Sequence, residues 1–594
     1  MPREKAAKKT RGGKAATASG KRVKGPAVRK ENPDQATLDF EPRAGDGPGA
    51  NGGKTRQGRR SGRRGETPPS AAQILASRQR EISVSEFFAK NRHLLGFDNP
   101  AKALLTTVKE AVDNSLDACE DANILPEVSV EIGQLAEDRF RVVVEDNGPG
   151  IVRTQIPKIF GKLLYGSKFH TFRQARGQQG IGISAAGMYG LLTTGQPIQI
   201  LSRTGPNRPA HAFVLAIDTR TNQANIRSDE EVVWDKGHGT RVEMTLQATY
   251  KKGRHSVDGY LQQVAIANPH AKIIYDPPRG VDQSADRVVY ERVVHEMPPQ
   301  PKEIQPHPYG VELGVLLQML SDTKTRNVSA FLQTQFSRVS PRIAAMICEA
   351  AGIATSANPK RVTHQSAESL HKAMNTVKIM APPTNCLSPI GEDQLMRSLA
   401  QEVEAEFVAA VTRPPAVYRG IPFQIEVGFA YGGKLNAEEL ISLYRFANRV
   451  PLLYQQSACG IMKAVLSVDW RSYKLSQARG ALPSGPLVVV CHIASAWVPF
   501  TSESKEAVAH YPEIQKEIRL GLQECGRRLS AHVGRRKREK EEFQKRSYIQ
   551  KYIPHIGIAL QEILSLKDSE REKTVDRLES ILEKSRKVAA GKED

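Results

Sequence analysis

The chain has 594 residues with 85 Lys+Arg against 64 Asp+Glu, a formal net charge of +21 at pH 7. Roughly 100–200 residues per domain gives about three or four domains, and no run approaches the ~18 apolar residues of a membrane span. The opening MPREKAAKKT lacks the apolar segment of a secretory signal. The six cysteines form no CxxC pair and no zinc-ligand spacing, which fits free thiols in a reducing compartment. A pI near 9.6 points to a polyanionic partner, nucleic acid first. The expected location is cytoplasmic, beside the nucleoid.

Residues 1–70 hold 18 Lys/Arg and 7 Asp/Glu, about half of the net charge, and almost no large apolar side chains. Such a segment buries too little surface to offset chain entropy, and residues 1–80 are expected to form a disordered basic tail. It suits a solubilising extension or a DNA tether acting by phosphate neutralisation. From residue 81, Ser83 and Glu86 form a capping-box pattern ahead of Phe87 and Phe88, and a helix is expected over 101–121. Strand patterns follow at 128–133, 140–146, 198–202, 211–218 and 240–246, so residues 81–302 read as a two-layer α/β domain. The Pro-rich MPPQPKEIQPHPYG opens a helical domain over 303–383, in which Ser340 and Pro341 start a helix that Gly352 closes. A second α/β domain is expected over 384–535, with helices at EVEAEFVAAV and AEELISLYRFANR and strands at FQIEVGFAYGG and LVVVCHIAS. Charged helices form the extension 536–594.

Four segments of the first α/β domain carry chemistry. In KEAVDNSLDAC, Glu110 and Asn114 share a helix face with Asp117 one turn on. A carboxylate beside a carboxamide oxygen suits a general base next to Mg²⁺, although the same spacing suits a solvated helix face. In VVVEDNGPGI, Asp146 at a strand end can accept from the exocyclic amine of adenine. Gly148 and Gly150 let the backbone approach a flat ring, or Asp-Asn-Gly makes a hairpin turn. In RQARGQQGIGISAAGMY, the run Gly177, Gln178, Gln179, Gly180, Ile181, Gly182 opens a helix whose N–H groups can cradle phosphates. It is no Walker A sequence. In HGTRVEMT, the Thr240 hydroxyl leads a strand and is placed to bridge Asp146 and a water against the base.

In order and spacing the four segments resemble the nucleotide boxes of the GHKL (Bergerat) ATPases: gyrase, the ninety-kilodalton heat-shock chaperone, histidine kinases and MutL. The longer segments 85–118, FGKLLYGSKFH, QPHPYGVELGVLLQML, SPIGED, VYRGIPFQIEVGFAYGG and RFANRVPLLYQQSACGIMKAV resemble the B subunits of DNA topoisomerase VI over about residues 81–560. That resemblance implies a multidomain α/β (α+β) architecture: a GHKL sandwich, a helix-two-turn-helix domain, a ribosomal-protein-S5-like transducer and C-terminal helices. It implies ATP and Mg²⁺ as ligands, Glu110 as base, Asn114 on Mg²⁺, Asp146 on adenine, and Lys168, Asp117, Thr240 and the 177–182 lid around the nucleotide. It also implies a transducer lysine at the γ-phosphate, matched here by Lys463. The implied activity is ATP-gated passage of one duplex through a break made by a separate A subunit, in an A₂B₂ assembly whose two ATPase chains dimerise on ATP. A MutL-like or chaperone-like clamp without strand passage is the alternative.

Lys251, Lys252 and Arg254 in KKGRH, and Trp470, Arg471 and Tyr473 in WRSYK, resemble the family's DNA-contacting loops and are candidates for phosphate contacts. The basic C-terminal helices are the expected docking site of the A subunit. In the tail, Gln35, Leu38 and Phe40 resemble a sliding-clamp-binding peptide.

Overall fold

The computed structural model describes residues 71–590 except His170, Gln178, Arg254 and 280–285. The clamp-like peptide at Gln35, Leu38 and Phe40 therefore lies outside the described residues, as do Gln178 and Arg254. The chain divides into two units after Gln79. The first contributes one short helix, α1 (Ala71–Arg78), and all other elements belong to the second.

The first α/β domain contains α2 (Val84–Lys90), α3 (Pro100–Asp121), β1 (Glu127–Ala136), β2 (Arg139–Asp146), α4 (Ile156–Gly161) and α5 (Gly182–Thr194). It continues through β3 (Ile198–Arg203), β4 (Ala210–Asp218), β5 (Gln223–Val232), β6 (Gly239–Gln247), α6 (Val257–Ala267), β7 (Lys272–Asp276) and β8 (Val288–Tyr290). The sheet order is β5-β4-β3-β6-β2-β1-β7-β8, antiparallel except for the β1–β7 pair. β1, β2 and β6 alternate buried and part-exposed residues, as a sheet covered on one face must. The cover is α3, α5 and α6. Asn99 caps α3 by accepting from the Lys102 N–H at 2.9 Å, Pro100 follows at the first turn, and Leu104, Val108, Val112 and Leu116 face the core. Ser83 likewise caps α2, accepting from the Glu86 N–H at 3.0 Å. The Glu86 carboxylate turns to Arg80 and Lys90 rather than back to the cap.

The helical domain comprises α7 (Leu313–Asp322), α8 (Val328–Gln335), α9 (Pro341–Ala351) and α10 (His364–Thr376), around Leu316, Phe331, Leu332, Ile347 and Leu370. Ser340 caps α9 and Gly352, at φ +68°, ends it. The second α/β domain runs from α11 (Glu392–Glu402) through β9 (Phe407–Thr412), β10 (Ala416–Tyr418), β11 (Ile421–Tyr431), β12 (Ser442–Ala447), β13 (Val450–Pro451), α12 (Gly460–Leu466) and β14 (Leu487–Ser495). It leads into α13 (Pro512–Leu564), and α14 (Asp568–Ala590) follows. The sheet order is β10-β11-β14-β12-β13, with β9 also on β11.

Two expected helices are strands here. Phe407–Thr412 pairs with β11 and Ser442–Ala447 lies parallel to β14, which is buried at every position. Ladder pairing on a fully buried strand (β14) and on a largely buried one (β11) outweighs the moderate helix propensity of the two segments. α13 also runs unbroken across residues 535–536, so the expected boundary falls inside a helix rather than at a joint. All six cysteines are buried and unpaired. No helix of the described residues is long and apolar enough to cross a membrane.

Candidate nucleotide site

A cavity of ≈ 610 Å³ opens between α3, the turn after β2, the 165–182 segment and the start of β6. Pro451–Tyr454 and Glu503–Glu506 of the second α/β domain complete its wall. The site is thus built by two domains.

Its floor is Asp146. One carboxylate oxygen accepts from the Ser115 hydroxyl at 2.9 Å, and the other from the N–H groups of Gly148 at 2.8 Å and Thr240 at 3.1 Å. Burial pushes this carboxyl above its ordinary value, and those donors act against it. A side chain at Gly148 would meet Asp146 Oδ1 at 2.9 Å, so the turn closes over the carboxylate only with glycine there. Gly150 sits at φ +72°, against the Arg203 carbonyl. Thr240 reaches Asp146 through its backbone N–H, not its hydroxyl, which instead pairs with Ser202 Oγ at 3.1 Å. The β6–β3 pairing that puts Thr240 opposite Ser202 dictates this difference.

Glu110, Asn114 and Asp117 share one face of α3 and all line the cavity. Lys109 lies 3.2 Å from Glu110 and 3.3 Å from Asp113. The lid presses onto this face: a Cβ at Gly182 would stand 1.7 Å from Glu110 Oε2, so only glycine lets the first turn of α5 reach the carboxylate. The Gly177 N–H points at Asp117 Oδ2 at 3.4 Å, and Gly180 takes φ +58° against the Tyr165 carbonyl. Lys168 donates to Asp117 at 2.8 Å and pairs with Asp121 at 3.0 Å. Burial raises the Asp117 carboxyl, but Lys168 and Arg176 outweigh burial and hold it below the usual carboxylate range. Gln179 hydrogen-bonds to Glu503 of the second domain, and Ile181 precedes α5 on the cavity wall.

Lys463 is not in this site. It projects to solvent from α12, whose Ile461, Ala464 and Val465 face the core, and it does not line the cavity. The second domain's lysine at the site is Lys505, held at φ +53° between Ser504 and Glu506. Burial lowers its ammonium below the ordinary lysine value, and Glu110 opposes that shift. Neighbouring Glu506 binds Lys102 at 2.7 Å, and Lys102 also lies over the Tyr454 ring at 5.1 Å. The sequence signal for Lys505 is the charged loop TSESKEA, a few residues after the buried strand LVVVCHIAS.

The second loop expected to face DNA also differs. Trp470 is fully buried, donates to the Val465 carbonyl at 2.9 Å and packs on Phe429, so its ring is not available to a nucleic acid. Tyr473 is half-buried, its ring lying against Gly526 of α13. Arg471 is exposed beside Asp469 at 2.9 Å. Trp470→Ala is therefore expected to destabilise the fold by about 3–5 kcal/mol. Thermal denaturation checks this, and an unchanged midpoint with weakened DNA binding would return Trp470 to the DNA surface. Lys251 and Lys252 are exposed, in a turn that Gly253 closes at φ +122°.

Asn114 presents its amide to the cavity, facing Gly177. Among the described residues no three or more His, Cys, Asp or Glu converge on a metal position. One carboxamide oxygen on the wall of this cavity fits Mg²⁺, which is commonly held by few protein ligands together with substrate phosphates and water.

Comparison with known proteins agrees with this architecture. Residues 99–250 match the family described as histidine kinase-, DNA gyrase B-, and HSP90-like ATPase, and residues 382–545 match the topoisomerase VI B subunit, transducer. The chain is 48% identical over 494 residues to the B subunit of type 2 DNA topoisomerase 6 from Methanococcoides burtonii, covering 83% of this chain and 79% of that one. It is 48% identical over 500 residues to the protein of the same name from Methanosarcina mazei, covering 84% and 79%. With that of Archaeoglobus fulgidus it shares 47% over 515 residues, covering 86% and 84%. With a two-domain nucleotide cavity, a matching transducer and near-half identity over most of its length, the chain belongs to the B subunits of type 2 DNA topoisomerase 6.

Proposed function

We propose that the cavity binds and hydrolyses ATP, and that the chain is the ATP-driven gate of a type IIB topoisomerase that passes one duplex through another. The observation that carries this is the meeting of Glu110 from the first domain and Lys505 from the transducer in one cavity. In this reading Asp146 accepts from the adenine amine, and the 177–182 lid offers N–H groups to the phosphates. Glu110 takes a proton from the attacking water, and Lys505 supplies a point charge to the γ-phosphate as negative charge develops there. Asn114 would hold Mg²⁺, which would supply neutralisation of phosphate charge. Lys168 stands at the mouth of the cavity, ready to exchange Asp117 for a phosphate oxygen.

Asp146→Asn is expected to weaken ATP binding by roughly 10- to 100-fold, the worth of a hydrogen bond to a charged group. The amide presents a donor where the base needs an acceptor. Calorimetric titration checks this, and unchanged affinity would make Asp146 a turn residue only.

The strand break belongs to a separate A subunit in an A₂B₂ assembly. A docking surface for it is the outer stretch of α13, where Phe543, Tyr548, Tyr552, Ile556 and Ile563 are exposed on a charged helix. Lys251, Lys252 and the basic tail contact DNA phosphates, and Gln35, Leu38 and Phe40 offer a sliding clamp a peptide. These partners place the protein in the cytoplasm, on the nucleoid. Deleting residues 1–70 is expected to weaken DNA binding and flatten its salt dependence, while ATP turnover persists. An unchanged salt slope would remove the tether role.

The gate itself is tested by a non-hydrolysable ATP analogue. Light scattering should show the chain pass from monomer to dimer, with residues 81–95 exchanged between copies. The same mass with and without analogue would contradict it.

A further inference from the structure

Behind the cavity, a continuous polar chain joins the base of the lid to the transducer sheet. Asp117, on the cavity wall, accepts from Arg176 Nη1 at 2.9 Å. Arg176, almost fully buried, also grips Glu120 with both terminal nitrogens, at 2.8 and 2.6 Å. Glu120 lies 2.8 Å from His270 Nε2 and stands 3.8 Å from the guanidinium of Arg449, in the turn between β12 and β13. Arg449 donates to the Ser388 hydroxyl at 3.1 Å and the Pro389 carbonyl at 2.9 Å. Its backbone N–H donates to His492 Nε2 at 3.0 Å. That bond places the His492 proton on Nδ1, which donates to Glu426 at 2.8 Å. Glu426 is fully buried in β11 and also accepts from the N–H groups of Ile390 and Gly391 and from Thr412.

The lid base is stitched to the same turn through its backbone. Asn448 Nδ2 donates to the Ala175 carbonyl at 3.0 Å and to the Ser495 carbonyl at 3.0 Å, while Gln174 and Ser388 exchange two hydrogen bonds. Residues 174 and 175 are therefore hydrogen-bonded to the transducer at Asn448 and Ser388.

Asn448 and Arg449 are the two central residues of the β12–β13 hairpin, at the φ of +50° and +67° that a type I′ turn requires, and Arg449 stands where such a turn usually has glycine. Two guanidinium groups converge on Glu120, with Arg176 at hydrogen-bond distance and Arg449 held off. The Nε of each arginine is buried without a hydrogen-bond partner. A void of ≈ 40 Å³, enough for water, is lined by both side chains. The unpartnered Nε atoms and the uneven grip of the two guanidinium groups on Glu120 leave hydrogen-bonding capacity at this junction unused.

We propose that Arg449 is a positioning residue that locks the base of the nucleotide lid to the orientation of the transducer. Through Glu120 and Arg176 it sets Asp117 and the first lid glycine. Through its backbone N–H, His492 and Glu426 it follows the sheet that carries β14 and, beyond it, Lys505. Lid ordering and the approach of Lys505 are then one event rather than two. The proposal rests on the reading of the cavity as an ATP site.

Two variants of the full chain test it. Asn448→Gly suits the positive φ but deletes the amide that donates to the Ala175 and Ser495 carbonyls and accepts from the Ser495 N–H, so a modest fall in melting temperature is expected and kcat is compared well below it. Arg449→Lys keeps the charge and loses the fork. For both, ADP affinity should stay within about threefold of wild type while kcat falls roughly tenfold with KM little changed, an ordinary coupling magnitude. Combining Arg449→Lys with Glu120→Gln should cost no more than the worse single change, because both cut one path. Wild-type kcat and KM in both variants would overturn the proposal, as would a fall in kcat that only tracks a lowered melting temperature. If Arg449→Lys does not fold, Asn448→Gly decides alone. A wild-type chain that binds no ATP analogue would overturn the nucleotide reading and this coupling with it, whereas normal wild-type turnover matched by the variants overturns the coupling alone.

Discussion

Glu110→Ala is expected to remove ATP hydrolysis while sparing nucleotide binding. The carboxylate lies on the cavity wall beside Lys109, with the first turn of the lid helix pressed against it at Gly182. In the proposed reading that group faces the phosphate end of a nucleotide whose base lies on Asp146, so its loss would deprive the attacking water of its base and leave the adenine contacts intact. General-base catalysis contributes about 10²–10⁴-fold, and turnover should fall by that order. Analogue binding and analogue-driven dimerisation should persist. Parallel loss of binding and turnover would instead make Glu110 a structural member of the lid contact. Gly182→Ala should resemble it in turnover, because the added methyl cannot coexist with the carboxylate in this position.

Lys505→Ala is expected to lower turnover by about 10²–10³-fold, the loss typical of one preorganised charge or donor at a transition state. ADP affinity should stay near wild type, since the charge acts where the γ-phosphate would lie. Lys463→Ala, on the solvent side of α12, should turn over ATP normally. The pair of variants separates the two lysines cleanly in a steady-state assay. Full activity of the Lys505 variant beside a dead Lys463 variant would relocate the transducer contact. Lys505→Arg should restore little, because the planar fork does not occupy a site shaped for a compact ammonium.

The contrast between these lysines shows where the sequence was legible. Glu110, Asn114 and Asp117 are read from a single helix, and Asp146 with its glycines from a single strand and turn. Their geometry is local, and spacing alone places them on one face or at one strand end. Lys505 lies in the readable charged loop TSESKEA, but that loop reaches the cavity only because β14 ends beside the first domain, and spacing along the chain does not place one domain against the other. Lys463 sits between apolar neighbours in a segment of strong family likeness, yet a seven-residue helix packed through Ile461, Ala464 and Val465 points it outward. Trp470 fails for a related reason: a Trp among basic residues reads as a nucleic-acid contact, but its indole fills the transducer core. The two mistaken helices, now β9 and β12, flank the largely buried β11 and the fully buried β14, where ladder partners decide conformation more than propensity does. Capping residues Ser83 and Ser340 were readable because a cap is a contact within three residues, whereas the Asn99 cap that starts α3 at Pro100 came only from the structure. The Arg176–Glu120–Arg449 junction has no sequence signature, since its members lie in three distant segments.

The most direct test of the account is plasmid relaxation by this chain with and without a topoisomerase VI A subunit. With both proteins, Mg²⁺ and ATP, the linking number of a supercoiled plasmid should change in even steps, as passage of an intact duplex through a double-strand break requires. Either protein alone, or the mixture with Glu110→Ala in place of the wild-type chain, should leave the plasmid supercoiled. Relaxation by this chain alone, or none by the complete mixture while ATP is still consumed, would contradict its assignment as the ATP-driven gate of a two-subunit strand-passage enzyme.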